Sequence, residues 1–338
     1  MTLISFAAAY QDNSWHHSPL FEVANRRLRR HTARATPDIR IDGTLIPRLV
    51  DHHVHVGLVD PVQLFAGGIT HAIDLGWDPQ VAHGWTQLNA PVITIAGALL
   101  TCVGGYPKNA GWGPTASTRE VDGPDAAAAA VAEQQAAGAS VIKVTLNSDA
   151  GPTPSDALLG GLIAAARASD LPVYAHAQGA GQAERAFTAG VDVLAHAPFS
   201  EMLSDELLTA MAAKRMRWVS TLRIHGWGSQ TREVEVASDN IRRFAAAGGQ
   251  VLYGTDAGNG PLTVGLNAHE LAALVDAGVD LLPALTAAAP GERARQTNGP
   301  DIVALVAGVP PTDTAALPGW LGTARGVSVE ALQSEGFS

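Results

Sequence analysis

Short apolar segments alternate with alanine-rich segments between Leu49 and Asp256. Eight apolar runs stand out, namely RLVDHHVHV, GGITHAIDLG, APVITIAGAL, ASVIKVTL, LPVYAHA, VDVLAHA, RWVSTL and GQVLYGTDAG. The segments between them have helical periodicity, for example Asp125–Ala139 and Asp156–Asp170. Near-continuous apolar strands that are separated by helices indicate a buried parallel sheet. Eight such units predict an α/β protein with a (β/α)8 TIM-like barrel.

The two ends of the chain have a different pattern. TLISFAAAY and LFEVANRRL predict strands near the N-terminus, and PDIVALVAGV (Pro300–Val309) predicts another near the C-terminus. We expect these strands to pair in a small accessory β-domain. The predicted organisation is 1–47 as the N-terminal part of that domain, 48–290 as the barrel, and 291–338 as its C-terminal part and a tail.

One connection in the predicted barrel is unusually long. Thr101–Pro124 contains several glycines and prolines together with Tyr106 and Trp112. A loop of this length is typical of a lid, a binding loop or a disordered segment. Because it follows a strand, it is expected at the active face of a barrel, which favours a binding role.

Composition excludes several classes of function. Hydrophobic residues make up 46% of the chain and charged residues 16%, as in a globular protein with a sizeable core. The net charge of -10 argues against binding to nucleic acid or anionic membranes. A single cysteine, Cys102, rules out an intramolecular disulfide and fits the cytoplasm. The start MTLISFAAAY lacks a basic region and a long apolar core, so we expect no signal peptide.

Ionisable residues lie at or near the ends of the predicted strands, and Lys143 lies inside strand four. In a barrel, the carboxyl ends of all strands meet on one face, so these side chains would surround one small volume. Four imidazoles and a carboxylate suit a divalent metal such as zinc. The residues are His53, His55, Lys143, His176, His196 and Asp256.

The first strand places two of these imidazoles close together. Strict alternation along LVDHHVH would put His53 and His55 on one face with Asp51, and His52 on the other. Two imidazoles on one face can chelate a metal ion, whereas an isolated pair is also compatible with buried, hydrogen-bonded histidines.

Lys143 is the least expected residue in the predicted core. It lies between Ile142 and Val144, where an uncompensated charge costs several kcal/mol. Its amine could extend to the surface. Alternatively, the neutral amine could react with carbon dioxide to give a carbamate, an anionic ligand that can bridge two metals.

Several segments resemble the amidohydrolase superfamily, in particular its binuclear-metal branch with imidazolonepropionase-like and Xaa-Pro dipeptidase (prolidase-like) enzymes. LVDHHVH resembles the family's D-x-H-x-H signature, and AGASVIKVTL its strand-four segment with a carboxylated lysine. HAQGAGQAERAFTAGVDVLAHAPF is similar to the segment that joins the strand-five and strand-six histidines. LYGTDAG resembles the strand-eight aspartate segment. The resemblance extends from about Ile41 to Ala289, and the N-terminal β-region is shorter than is usual in the branch.

The resemblance implies a role for each of these residues. His53, His55 and Asp256 would hold one divalent metal, His176 and His196 a second, and carbamylated Lys143 would bridge them. A hydroxide that bridges the metals would attack the amide, and Asp256 would be the catalytic general acid and base. Zinc is the favoured metal, with manganese or cobalt as alternatives, and carbon dioxide is needed for the carbamate.

Three further residues are candidates for substrate binding: His225, Arg223 and Tyr106. Tyr106 stands where a histidine is common in the branch. His225 and Arg223 follow strand seven, and guanidinium groups bind carboxylates bidentately.

The function implied is hydrolysis of an amide bond in a small molecule, with a dipeptide or an N-acyl amino acid favoured as substrate. Hydrolysis of a cyclic amide, lactone or phosphoester is the alternative within the enzymes, and a non-catalytic ligand-binding barrel is the alternative outside them. A deaminase fits less well, because Glu184 lies far beyond His176 and Lys143 indicates two metals. The expected partner is a small-molecule substrate, and a homo-oligomer is compatible with the sequence.

Overall fold

The structure is a computed structural model that describes residues 2–290 and 301–334. Its strands, β1 to β17 in chain order, are Thr2–Gln11, Ser14–His17, Leu20–Ala24, Arg27–His31, Ile39–Ile46, Val50–Val54, His71–Asp74, Val92–Ile95, Leu99–Cys102, Thr118–Val121, Ile142–Asn147, Val173–Gln178, Val193–Leu194, Arg217–Val219, Gln250–Leu252, Ile302–Ala307 and Arg325–Ser328. Its α-helices, α1 to α10, are Pro61–Ala66, Pro79–Trp85, Ala127–Ala136, Asp156–Ala168, Gln182–Ala189, Asp205–Ala213, Arg232–Ala246, Ala268–Asp276, Leu281–Thr286 and Leu317–Leu321.

Strands from both ends of the chain form one sheet. Its order is β17-β16-β5-β1-β3-β4, and β2 pairs with β1. The segment LFEVANRRL, which we expected to be one strand, is most of a hairpin of β3 and β4. Asn25 and Arg26 between these strands have φ values of 52° and 62°, as a tight two-residue hairpin turn requires. Part of the predicted C-terminal segment, 291–300, lies outside the described residues.

The remaining strands form two parallel sheets, which confirms the parallel arrangement that the apolar runs predicted. One has the order β6-β7-β8, and the other β10-β9-β11-β12-β13-β14-β15. Backbone hydrogen bonds join them along one edge, where Asp256 N–H donates to His53 C=O at 2.7 Å and His52 N–H to Tyr253 C=O at 3.0 Å. Near the other edge, Ser140 N–H donates to Ile95 C=O at 3.1 Å. The carboxyl ends of β6 and β15 therefore lie side by side.

The helices begin where the sequence offers capping residues. The hydroxyls of Ser155, Ser204 and Thr231 accept a backbone N–H in the first turns of α4, α6 and α7. The helix predicted over Asp156–Asp170 corresponds to α4, which ends two residues earlier. The helix predicted over Asp125–Ala139 corresponds to α3, which is shorter and begins after a 3₁₀ turn. Apolar side chains of these helices pack against the strands in one continuous core.

Strict alternation fails in β6. The pairing of β6 with β7 shifts register between Asp51 and Val54, as a β-bulge does. Asp51 therefore does not join His53 and His55 in one cluster. Its carboxylate accepts the Thr255 hydroxyl at 2.6 Å and the backbone N–H of His53 at 3.0 Å. Asp51 therefore links β6 to the segment after β15, which carries Asp256.

The long connection after β9 is more ordered than a loop. It includes a 3₁₀ turn at Thr115–Ser117 and strand β10, which pairs in parallel with β9. Most of the irregular part lies before Thr115 and includes Tyr106 and Trp112.

Within the described ranges, no helix combines the length and the apolar character that crossing a membrane requires.

Candidate metal centre

Five of the six residues predicted to ligate metal form a compact cluster of imidazoles and one carboxylate. Asp256 Oδ1 lies 3.3 Å from Nε2 of both His53 and His55. Ring centroids are 4.6 Å apart for His53 and His196 and 4.9 Å apart for His176 and His196. All five side chains are buried. The parallel arrangement of β6, β12, β13 and β15 brings their carboxyl ends to this point.

Backbone carbonyls determine which nitrogen of two imidazoles carries the proton. His53 Nδ1 lies 2.8 Å from the Ala195 carbonyl, and His55 Nδ1 lies 3.1 Å from the Gly76 carbonyl. A carbonyl only accepts, so Nδ1 donates, and in the neutral ring Nε2 keeps its lone pair. His53 Nε2 is buried without a hydrogen-bond partner in the part of the chain that the structure describes. This arrangement is typical of metal-binding histidines.

The other two histidines are held by side chains. His196 Nδ1 pairs with the Thr221 hydroxyl at 2.9 Å. His176 Nε2 pairs with Gln178 Oε1 at 3.1 Å and lies 3.4 Å from Asn147 Nδ2. Nε2 of His196 and Nδ1 of His176 are therefore the nitrogens left to bind a cation.

Lys143 is buried beside the cluster, with 1% of its surface exposed. Burial lowers the pKa of its amine to about 7, although the carboxylates of Asp256 and Asp74 oppose this shift. Asp74 itself accepts the backbone N–H groups of Val56 and Gly76, at 2.8 and 3.3 Å. At neutral pH a large fraction of the Lys143 amine is thus uncharged and nucleophilic.

The cluster has the charge states that a divalent cation needs. Burial opposes ionisation of Asp256, but the imidazoles of His53 and His55 hold its pKa well below its usual range. Burial lowers the pKa of His53 and of His196 well below the usual value, so both rings are neutral at pH 7. His53, His196 and Asp256 each offer a ligand atom within 4.8 Å of the others. Neutral imidazoles and an ionised carboxylate fit zinc and similar metals.

Aromatic side chains from the long connection cover the cluster. The Tyr106 ring stacks on His176 at 5.1 Å between centroids, and the Trp112 ring lies 4.8 Å from His55. The Tyr106 hydroxyl interacts with Trp112, yet the indole Nε1 has no partner in hydrogen-bonding geometry within the described chain. The structure therefore places Tyr106, a residue predicted to bind substrate, directly against the proposed metal ligands.

His225 and Arg223, the two substrate-binding candidates that follow β14, have different surroundings. The His225 ring lies 4.1 Å from Phe199 and 6.4 Å from His196, on the side of the cluster. Arg223 lines a cavity of about 430 Å³ that is bordered by residues of α7 and α8, including His269. A role for Arg223 in substrate binding stays a prediction.

The residues that hold the ligands in place were not found from the sequence. In the sequence, Trp112 stands out only as an aromatic residue of the long connection, and Glu270, which accepts the backbone N–H groups of Leu222 and Arg223, does not stand out. Thr221 and Asn147 contact histidines of neighbouring strand segments, and a single sequence contains no local signal for such contacts. Gln178 contacts His176 within the same strand, two residues away. The one available signal was the pattern N-x-x-E at the start of α8, which is typical of a helix cap.

No protein-family model and no curated protein matches the chain. The chain is similar to a Xaa-Pro dipeptidase structure with bound methionine, with 21% identity and a TM-score of 0.72 over 94% of this chain and 96% of that one. It is similar to the ochratoxinase of A. niger, with 19% identity and a TM-score of 0.76 over 96% of this chain and 93% of that one. It is also similar to a bottromycin amidohydrolase, with 18% identity and a TM-score of 0.67 over 98% of this chain and 87% of that one. The chain has the fold of these proteins.

Proposed function

We propose that this chain, which has the fold of solved amidohydrolases, is a metal-dependent hydrolase that cleaves an amide bond in a small molecule. The observation that carries the proposal is the cluster at the strand ends. Nε2 of His53 and Nε2 of His55 each lie 3.3 Å from an Asp256 carboxylate oxygen. The Nδ1 atoms of both rings face backbone carbonyls, which leaves Nε2 of the neutral ring as the nitrogen that can bind a metal.

The residues divide into two ligand sets. His53, His55 and Asp256 would hold one cation, and His176 and His196 a second. Divalent cations bound there would lower the pKa of a water molecule and polarise the substrate carbonyl. Zinc is our first choice, since borderline metals prefer imidazole together with carboxylate.

Lys143 supplies the remaining anionic ligand. Its amine has a pKa of about 7, so the neutral form is available for reaction with carbon dioxide. The nitrogen forms a bond to carbon and releases a proton, which leaves an anionic carbamate. A carbamate carries a negative charge, so it would attract the cations, whereas the protonated amine would repel them.

Asp256 has the proton-transfer role. Its carboxylate is ionised at neutral pH and can accept a proton from the attacking water. The same group then returns the proton to the amine that leaves. Tyr106 and His225, beside the cluster, would bind the substrate.

We further propose that the two parallel sheets form one (β/α)8 barrel over 48–290. The backbone hydrogen bonds between β6 and the end of β15, and between Ser140 and Ile95, support this closure. The sheet formed by the two chain ends would then be the accessory β-domain, with 1–47 and 291–338 as its parts.

The decisive experiment combines metal analysis with a hydrolysis screen. Dipeptides, N-acyl amino acids, lactones and a phosphoester are offered to protein loaded with zinc, manganese or cobalt. We expect hydrolysis of an amide that chelation abolishes and added metal restores. Hydrolysis of lactones or phosphoesters alone would replace the proposed reaction, and binding without any turnover would favour a ligand-binding barrel.

A further inference from the structure

The segment after β14 turns sharply at Thr221. This residue has φ 43° and ψ 36°, a left-handed conformation that is rare for a β-branched side chain. Its N–H donates to the Gly254 carbonyl at 3.0 Å, and its hydroxyl pairs with His196 Nδ1 at 2.9 Å. The turn therefore places the Thr221 hydroxyl where it orients His196, one of the proposed metal ligands.

A 3₁₀ helix, Leu222–His225, follows at once and lacks its own cap. The first N–H groups of a helix have no partner within the helix, and the preceding residue commonly accepts one of them. Thr221 holds that position but makes no side-chain cap hydrogen bond, since its hydroxyl is bonded to His196. The N–H groups of Leu222 and Arg223 need another acceptor.

Glu270, on α8, provides this acceptor from outside the segment. Its Oε1 accepts the Leu222 N–H at 2.9 Å, and its Oε2 accepts the Arg223 N–H at 2.8 Å. The side chain is fully buried, with 0% exposed. In its own helix it is not needed, because Asn267 Oδ1 caps α8 by accepting the N–H groups of His269 and Glu270. A buried carboxylate thus accepts two amides of another element and also interacts with the Ser220 side chain.

At the other end of the 3₁₀ helix lies His225. Its Nε2 is buried and has no hydrogen-bond partner among the described residues. Its ring packs on Phe199 at 4.1 Å between centroids and lies 6.4 Å from the His196 ring. A buried nitrogen without a partner beside the proposed reaction site is suited to an oxygen of the substrate.

We propose that Glu270 is a positioning residue that caps the 3₁₀ helix in place of Thr221 and thereby fixes His225 against the substrate. Because Glu270 accepts the N–H groups of the 3₁₀ helix, the Thr221 hydroxyl is free to form its hydrogen bond with His196. One carboxylate on α8 thus supports both the metal ligand and the substrate contact. This inference rests on the proposed hydrolase function.

A double-mutant cycle tests whether Glu270 acts through His225. Glu270→Gln keeps the size of the side chain but replaces one acceptor oxygen by an amide donor. We expect kcat/KM to fall about tenfold in the wild-type background and less than twofold in a His225→Ala background. Equal losses in both backgrounds would overturn the proposal, because a general structural defect acts independently of His225.

A matched control variant tests whether the loss of any buried helix side chain that accepts a loop amide has the same effect. Gln134 is also a buried helix side chain that accepts a loop amide, the Ala98 N–H, at 2.8 Å. Gln134→Ala should change kcat/KM by the same factor with and without His225→Ala. If Glu270→Gln does not fold, Glu270→Asp retains the charge and gives the same test with a smaller effect.

Hydrogen exchange supplies a measurement that needs no activity. In Glu270→Gln, the Leu222 and Arg223 amides should exchange at least tenfold faster, while amides of α4 keep their rates. Unchanged exchange at these two amides would overturn the cap whether or not the protein is an enzyme. If the wild-type protein hydrolyses nothing, the proposed function is wrong, and the exchange rates alone decide on the cap.

Discussion

The side-chain amide of Asn259 donates to both carboxylate oxygens of Asp256, at 3.1 and 3.0 Å. The two residues are also joined through the backbone, where Asn259 N–H donates to the Asp256 carbonyl at 3.1 Å. Asp256 has φ 55°, a left-handed conformation that this tight turn maintains. The turn after β15 therefore orients the carboxylate to which we assign the proton transfer.

Asn259→Ala should lower turnover more than it lowers metal content. The substitution removes a hydrogen bond to a charged group, which contributes ~1.5–3 kcal/mol, and this corresponds to a decrease in kcat of roughly tenfold or more. Asn89→Ala, at an exposed position away from the cluster, is the control. Equal kcat values for the two variants would show that Asn259 does not orient Asp256.

Asp256→Asn should separate proton transfer from metal binding. The amide retains an oxygen that coordinates weakly but cannot take a proton from water. Turnover should therefore fall by about 10²–10⁴-fold while most of the metal stays bound. Metal content and kcat are measured on one preparation, and near wild-type turnover would remove Asp256 from the mechanism.

The protein should bind close to two divalent metals per chain. Four histidines, Asp256 and Lys143 are more ligands than one tetrahedral ion needs. Elemental analysis after loading with zinc checks this number. A ratio that never exceeds one metal per chain would remove the bridging role from Lys143.

Lys143→Ala should lose both metal and activity, and short carboxylic acids added in solution should partly restore both. A small anion can replace a carbamate between two cations, because the cations attract any ligand of suitable charge and size. Acetate and propionate are tested against chloride at equal ionic strength. Full metal content and normal turnover in the variant would contradict the carbamate.

The stability of the metal-free protein should fall as the pH drops from about 6.5 to 4, in part because of His225. Burial lowers the pKa of His225 to about 4 in the folded chain. Between this value and the usual pKa, near 6.5, the unfolded chain binds the proton and the folded chain does not, so stability rises with pH. His225→Gln should reduce the change in unfolding free energy between pH 7 and 4.5 by about 2 kcal/mol. Urea denaturation of both proteins at the two pH values checks this, and identical pH dependence would contradict it.

The order of the elements could be predicted because it depends on local patterns. Apolar runs of strand length, such as VIKVTL and VLAHA, alternate with segments of helical period, and this alternation favours a parallel sheet. The strand-end positions of His176, His196 and Asp256 followed from the same pattern. The resemblance to amidohydrolases, which depended on these motifs, agrees with the fold of the solved structures that the chain matches.

The tertiary structure alone decided how the side chains around the cluster are used. The bulge in β6 separates Asp51 from His53 and His55, because pairing with β7 and with the end of β15 sets the register. Glu270 belongs to a local capping pattern in the sequence, yet its carboxylate accepts amides of Leu222 and Arg223, 48 and 47 residues away. Local periodicity determines which elements form, whereas the partner of a buried polar group depends on which elements pack together. That packing must satisfy most buried donors and acceptors at once, and one sequence does not reveal it.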